Sequence, residues 1–378
     1  MIIIEKLRKL DGALLLLMFG LITVGTLAIY EATHGTNLEG LHRSNMAYAA
    51  VFLLPMLIVA LFNYRLLTGY FAYALYGIGI LLLLSVQLFG ENLNGAARWL
   101  SIGPIQFQPS ELAKLSTILL IAHLLQRRGG EKLRIMKDLL PIGIVFLIPF
   151  FFVYKQPDLG TALVFAGILL GMLWIGNIGY GLMLSLVVAS VSVVVGLLWM
   201  FNAHYDELAR FIQPHQLARI QAFLDPASDP DKSWHAMNAL TAIGGGGMLG
   251  GSGFFSSQGF IPYVYSDSIY VIVGERYGFI GSALLLMLFF LLVYRMVLIA
   301  MDNRKDAGAY VVVGIASMFT FQIFVNIGMH IGLLPLTGIS LPFISYGGSS
   351  LLLSMIAIGI VLSVKIHRSD RSHSQRIG

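Results

Sequence analysis

The sequence predicts an all-α integral membrane protein with about ten transmembrane helices, a large outer loop between the seventh and eighth, and both termini in the cytoplasm. Three observations predict it. The 378 residues are 57% hydrophobic and only 11% charged, with a mean hydropathy of +0.81, whereas soluble domains keep about 25% of their residues charged. Apolar runs close to the thickness of a bilayer recur along the whole chain. Lysine and arginine gather in alternate connections between those runs.

Candidate spans cover 12–31, 46–62, 71–89, 111–126, 139–154, 159–176, 181–201, 267–295, 308–332 and 343–365. A hydrocarbon core of about 30 Å takes about 20 apolar residues. The 111–126 span carries Glu111, Lys114 and His123, and the 139–154 span is short, so both need tilt, a break or shielding by neighbours. The 41 glycines and 12 prolines are tolerated in membrane helices because adjacent helices satisfy freed backbone groups. The first run, Gly12 to Tyr30, is long enough to span and has no small-residue cleavage site nearby, so it reads as a retained helix. With the N-terminus inside, 16 of the 24 Lys and Arg residues fall in cytoplasmic segments, including Lys6, Arg127, Arg134, Arg295, Arg304, Lys305, Arg371 and Arg376. This positive-inside bias accounts for the +5 net charge, and no nucleic-acid partner is expected. The absence of cysteine excludes disulfides, thiol catalysis and cysteine-ligated metals. There is no internal repeat to support an inverted-repeat transporter, and residues 1–378 read as one domain ending in a cytoplasmic tail, 366–378.

The segment 202–266 is the long polar stretch, and the topology places it outside. Its aromatic residues, among them Tyr205, Phe211, Phe223 and Trp234, suit a loop lying on the membrane surface. It also holds an Asp-Pro-x-x-Asp-Pro run (Asp225, Pro226, Asp229, Pro230) and four consecutive glycines, Gly244 to Gly247, which read as flexible.

Ionisable groups at membrane depth cost several kcal/mol, so each is a functional candidate. Glu111 and Lys114 share a helix face and can pair, either to tie helices together or as a charged floor beneath a polar substrate. Asp158, in a short outer turn, suits a helix N-cap as well as a site. Asp267 opens the eighth span, where a helix dipole favours its carboxylate and burial favours its acid. The Glu275–Arg276 pair lies close behind, and Arg98 precedes the fourth span. Three carboxylates and several cations at the outer face suit a polar, anionic headgroup. The carboxylates would also accept Mg²⁺ or Mn²⁺, the only cofactors the chemistry suggests. No phosphate-binding glycine loop or nucleophile elbow is present.

Four stretches then resemble one family. They are Asn94-Gly-Ala-Ala-Arg98-Trp-Leu with Gln108-Pro-Ser-Glu111-Leu-Ala-Lys114; Gln156-Pro-Asp158-Leu-Gly-Thr161; Ala218-Arg219 through Phe223-Leu-Asp225-Pro226; and Asn326-Ile-Gly-Met329 onward through Leu341-Pro-Phe-Ile-Ser-Tyr346-Gly-Gly-Ser-Ser350. In this order they resemble the SEDS proteins (shape, elongation, division and sporulation), the RodA, FtsW and SpoVE kind. The resemblance implies a ten-helix, inverting glycosyltransferase of the bacterial cytoplasmic membrane, with its site on the extracytoplasmic side. It would polymerise lipid II, the undecaprenyl-pyrophosphate-linked disaccharide–pentapeptide, usually beside a class B penicillin-binding protein. The family's essential aspartate matches Asp267. Arg98, Glu111, Lys114, Asp158 and Arg219 match substrate-binding positions, and Lys155 is a further cation on the same side. The departure is local. Where the family usually reads Pro-Glu-x-His-Thr-Asp, this chain reads Pro262-Tyr263-Val264-Tyr265-Ser266-Asp267. A noncatalytic scaffold for a penicillin-binding protein and a transporter of lipid-linked precursors are the other readings. Loss of activity at Asp267, with docking retained, separates the polymerase from the scaffold.

Overall fold

The computed structural model describes residues 2–93, 96–102, 105–156, 158–210, 214–226, 230–303 and 307–368. Asn94, Pro157, Phe211, Asp229, Arg304, Lys305, Arg371 and Arg376, and the tail beyond residue 368, lie outside the described residues.

Among the described residues, eight helical stretches are long and apolar enough to cross a membrane. They contain α1 (Gly12–Thr33), α2 (Leu41–Leu61), α3 (Tyr70–Phe89), α5 (Leu140–Lys155, led by a π turn, Ile135–Leu139), α7 (Tyr180–Ala203), α10 (Ile269–Asp302), α11 (Ala307–His330) and α12 (Gly348–Ile366). Two more pack among them. These are α4 (Pro109–Gln126), which carries Glu111 and Lys114, and α6 (Leu159–Ile175), which is short.

Helix α11 is the hub, mostly buried and packed on α4, α6 and α10, while α12 packs along α2. Lipid is as apolar as leucine, so membrane helices associate through close packing rather than expulsion of water. Glycine supplies that closeness. A Cβ on Gly359 of α12 would stand 2.6 Å from the Met56 carbonyl oxygen of α2. Helix α7 is the opposite case. None of its residues is buried, and only Leu182, Met183 and Leu186 touch the core, so its remaining length is left to lipid.

At one end of the bundle, Asp11 caps α1 through the Leu14 N–H at 3.0 Å and receives Arg295 of α10 at 2.7 Å. Burial pushes the Asp11 carboxyl up. The Arg295 and Leu14 hydrogen bonds, with the Arg295 and Lys365 charges, outweigh it and hold the group below its ordinary value.

Three sequence expectations need correction. The chain is not purely helical, because Glu91–Leu93 (β1), Ala96–Ile102 (β2) and Ile105–Phe107 (β3) form a small antiparallel meander, pairing Leu100 with Phe107 and Ile102 with Ile105. These residues are too polar and their strands too short to span.

The 202–266 segment is not a plain loop either. It folds into α8 (Pro214–Leu224) and α9 (Pro230–Gly245), and α9 packs on α8 and α10. Prolines open both helices, where a missing N–H costs nothing.

Nor does the glycine run serve as a flexible segment, since its backbone packs directly against α10. Helix α10 breaks at Gly278, with φ 60° and ψ −155°. The freed Phe279 and Ile280 N–H groups donate to the Gly247 and Met248 carbonyls at 2.9 and 3.1 Å. A Cβ on Gly246 would stand 2.0 Å from the Gly274 carbonyl oxygen, and one on Gly250 equally close to that of Arg276. Glycine is therefore needed for approach more than for motion. Gly246→Ala should cost about 1–3 kcal/mol through overpacking. Gly244→Ala, whose added methyl would meet open space, should be neutral or slightly stabilising. Thermal melts in detergent check the contrast, and equal shifts for the two would contradict this joint.

Candidate active site

The site is built where strand, helix ends and turns meet at the bundle end away from Asp11. Arg98 projects from β2. Its Nε donates to the Gln156 carbonyl at 3.3 Å, and its Nη1 lies 3.9 Å from Asp158 Oδ1. Asp158 is also the N-cap of α6, accepting from the Thr161 N–H at 3.1 Å and the Thr161 hydroxyl at 2.9 Å. One carboxylate thus caps the start of α6 and faces a guanidinium.

Glu111 and Lys114 are buried one turn into α4 and pair at 2.8 Å, with Lys114 only 1% exposed. The start of α4 is held to α12, where the Gln108 N–H donates to the Ser349 hydroxyl and that hydroxyl donates to the Gln106 carbonyl. Lys155 instead turns over the Phe151 ring, 4.7 Å from its centroid.

Arg219 comes from α8, and its Nη1 donates to the Thr337 carbonyl at 3.3 Å. Burial and the Arg98 charge pull its pKa below the ordinary value, and Asp267 and Asp158 resist this. A guanidinium nevertheless stays charged at neutral pH.

Asp267 stands in the turn before α10, outside the span, and it does not cap the helix. Ser268 occupies the cap position. The carboxylate is half-buried, and its Oδ1 is covered yet has no hydrogen-bond partner. Burial pushes its pKa up to about 6, against its own N–H, the Arg219 charge, the Ser268 N–H and the Arg98 charge, which pull it down. Arg98, Asp158, Arg219 and Asp267 thus share one electrostatic site assembled from β2, α6, α8 and the 262–268 turn. Gly338, at φ +76°, brings its backbone against the aspartate, and a Cβ there would stand 3.4 Å from Oδ2.

Other residues hold this site in place. Fully buried Asn326 of α11 donates from Nδ2 to the Asp267 carbonyl at 2.7 Å and the Ile339 carbonyl at 2.6 Å. It thereby fastens the aspartate's turn to the 337–340 segment that also receives Arg219. His235 of α9 meets the Ser268 hydroxyl at 3.1 Å. Burial and the Arg219 charge push its pKa down to about 4, so the imidazole is neutral at pH 7. Asn326 belongs to the Asn326-Ile-Gly-Met329 stretch and is an amide within a mostly apolar span. His235 gave no such signal. Glu275 and Arg276 bind structure instead of a ligand. The Glu275 carboxylate accepts the Phe255 and Ser256 N–H groups at 2.8 and 3.1 Å, and Arg276 binds the Ser252 carbonyl and Glu31.

A resident divalent cation does not fit this donor set. No group of three His, Cys, Asp or Glu side chains gathers among the described residues. The charges that act on Asp267 are the Arg219 and Arg98 guanidinium groups.

A helical bundle with a carboxylate and two guanidinium groups brought together at one end defines an integral membrane protein with a charged site where its helices begin. The sequence pattern of the cell cycle protein family of FtsW, RodA and SpoVE matches residues 9–370, and the chain belongs to this family. It is 33% identical to the peptidoglycan glycosyltransferase MrdB of Escherichia coli K12 over 369 residues, covering 97% of this chain and 96% of that protein. It is 32% identical over 386 residues to the probable peptidoglycan glycosyltransferase FtsW of Thiomicrospira cyclica, covering 97% and 95%. Its fold matches a chain of a peptidoglycan synthase complex that coordinates polymerisation and crosslinking, with a TM-score of 0.78, 30% identity and coverage of 95% and 98%. The rod shape determining protein RodA of Thermus thermophilus matches at a TM-score of 0.69 and 28% identity, covering 95% and 97%.

Proposed function

We propose that the chain is a peptidoglycan glycosyltransferase that polymerises lipid II at the outer face of the bacterial cytoplasmic membrane. The observation that carries the proposal is Asp267, with one buried oxygen unpartnered and Arg219 and Arg98 beside it. The acceptor's 4-hydroxyl gives its proton to Asp267 as its oxygen attacks the donor's anomeric carbon with inversion. The bond from that carbon to the pyrophosphate oxygen breaks, and undecaprenyl pyrophosphate leaves with the electron pair. A carboxylate lifted toward neutral pH is suited to this proton transfer. Arg98 and Arg219 stabilise the leaving pyrophosphate, where guanidinium forks match phosphate geometry. Glu111 and Lys114 form the charged floor, and Asp158 holds Arg98 in place. Any Mg²⁺ or Mn²⁺ enters with the pyrophosphate of the substrate. A class B penicillin-binding protein is the partner that cross-links the product.

In this reading ten helices span the membrane, both termini are cytoplasmic, and α8 and α9 lie outside above the site. The cysteine-free sequence makes the topology directly testable, because one introduced thiol is the only one to react. A membrane-impermeant maleimide should label His204→Cys in intact spheroplasts and should label Lys137→Cys only after lysis. The reverse pattern would remove the outward site. Activity is read by incubating the purified chain and a candidate partner with labelled lipid II. A ladder of glycan strands is expected. Unchanged lipid II from folded protein would favour the scaffold reading.

A further inference from the structure

Beside Asp267 the molecule carries an aromatic surface that the proton transfer and the pyrophosphate contacts leave unused. Along the outer half of α2, Ser44, Tyr48 and Phe52 fall at i, i+4 and i+8 and so share one face. Tyr48 stacks on Phe52 with ring centroids 5.7 Å apart and meets Tyr346 at 6.3 Å. Tyr346 also crosses Tyr265 edge-on at 6.1 Å. The backbones are joined as well, since the Tyr346 N–H donates to the Tyr265 carbonyl at 3.0 Å. The row therefore runs from the membrane face of α2 to a residue two positions from Asp267.

The turn that carries its last member is held under strain. Tyr263 has φ +51°, a conformation that side-chain-bearing residues rarely adopt, and it is 51% exposed. Such a geometry persists only where its surroundings enforce it, and these outliers cluster at functional sites. Tyr263 and Tyr265 also stand at two of the positions where the sequence departs from the family pattern.

The charged groups of the site can hold a pyrophosphate and take a proton, but they do not orient a neutral sugar ring. A pyranose has an apolar C–H face and a rim of hydroxyls, and tyrosine presents the matching pair, an apolar ring ending in a hydroxyl. Burial, the Tyr263 hydroxyl and the Asp267 charge raise the pKa of Tyr265, so its hydroxyl stays protonated and can donate at neutral pH. Resting on the polymerase reading above, we propose that Tyr48, Tyr265 and Tyr346 form a carbohydrate-stacking wall that seats the acceptor sugar with its 4-hydroxyl toward Asp267.

The test compares binding of two lipids in the Asp267→Asn background, where turnover does not interfere. One is undecaprenyl pyrophosphate. The other is the same lipid bearing the disaccharide with its stem peptide removed, so any difference belongs to the sugars. Tyr265→Leu should weaken the disaccharide lipid on the order of fivefold and undecaprenyl pyrophosphate less than about twofold, the scale of one aromatic contact. Tyr265→Phe should keep most of the affinity for both. Tyr48→Leu, at a 38% exposed position where folding is least at risk, should repeat the Tyr265→Leu pattern. Equal weakening of the two lipids, or no weakening of either, would overturn the wall. The polymerase reading fails separately, by absence of glycan ladders from the parent chain.

Discussion

Asp267→Asn is expected to lower the polymerisation rate on the order of 10³-fold while leaving the protein folded, the scale of a lost general base. Asparagine keeps the shape and the neutral hydrogen-bonding capacity but cannot take a proton. The same substitution should raise stability, and the pH window gives the sign. Burial lifts the folded-state pKa to about 6 from an ordinary 3.8. The protonated aspartate therefore suits the fold fully below the lower value, and that advantage is lost as pH rises through the upper one. Asp267→Asn should accordingly melt higher than the parent at pH 7–8, with the difference fading between pH 6 and 4. A variant that lost both activity and stability at pH 8 would point to a structural aspartate.

Arg219→Gln is expected to have the second largest effect, a loss on the order of 10²-fold that falls mainly on kcat. The pyrophosphate gains charge as its bond to the sugar breaks, so a guanidinium beside it contributes most in the transition state. Arg219→Lys should recover only part of the rate, because an ammonium cannot offer the same fork of donors. A rise in KM with kcat unchanged would move Arg219 from the reaction to substrate capture. Arg219 also ties α8 to the Thr337 carbonyl, so a melt measured beside the kinetics separates the two roles.

The membrane-spanning helices were legible in the sequence because length and apolar composition suffice to mark them. Asp267, Asp158 and Arg98 stood out as candidates because charge close to apolar spans needs a purpose, and the fold brings the three together. The sequence did not reveal the β meander, whose three short strands have too few residues for a clear alternation. It also concealed the order in 202–266, because α8 and α9 are brief and stabilised by packing on each other and on α10. Gly244 to Gly247 misled for a physical reason. Composition cannot distinguish glycine chosen for freedom from glycine chosen so that two backbones can touch, as Gly246 and Gly274 do. Asn326 was visible as part of a motif, but its hold on both the Asp267 and Ile339 carbonyls depends on a turn and a segment that meet only in the fold.

The most direct test of Asp267 as the base is the pH dependence of kcat/KM for lipid II polymerisation by the parent chain. A plateau is expected above about pH 6, with a tenfold fall per unit below it and no such inflection in the residual activity of Asp267→Asn. A rate independent of pH between 5 and 8, or the same inflection in the variant, would contradict it.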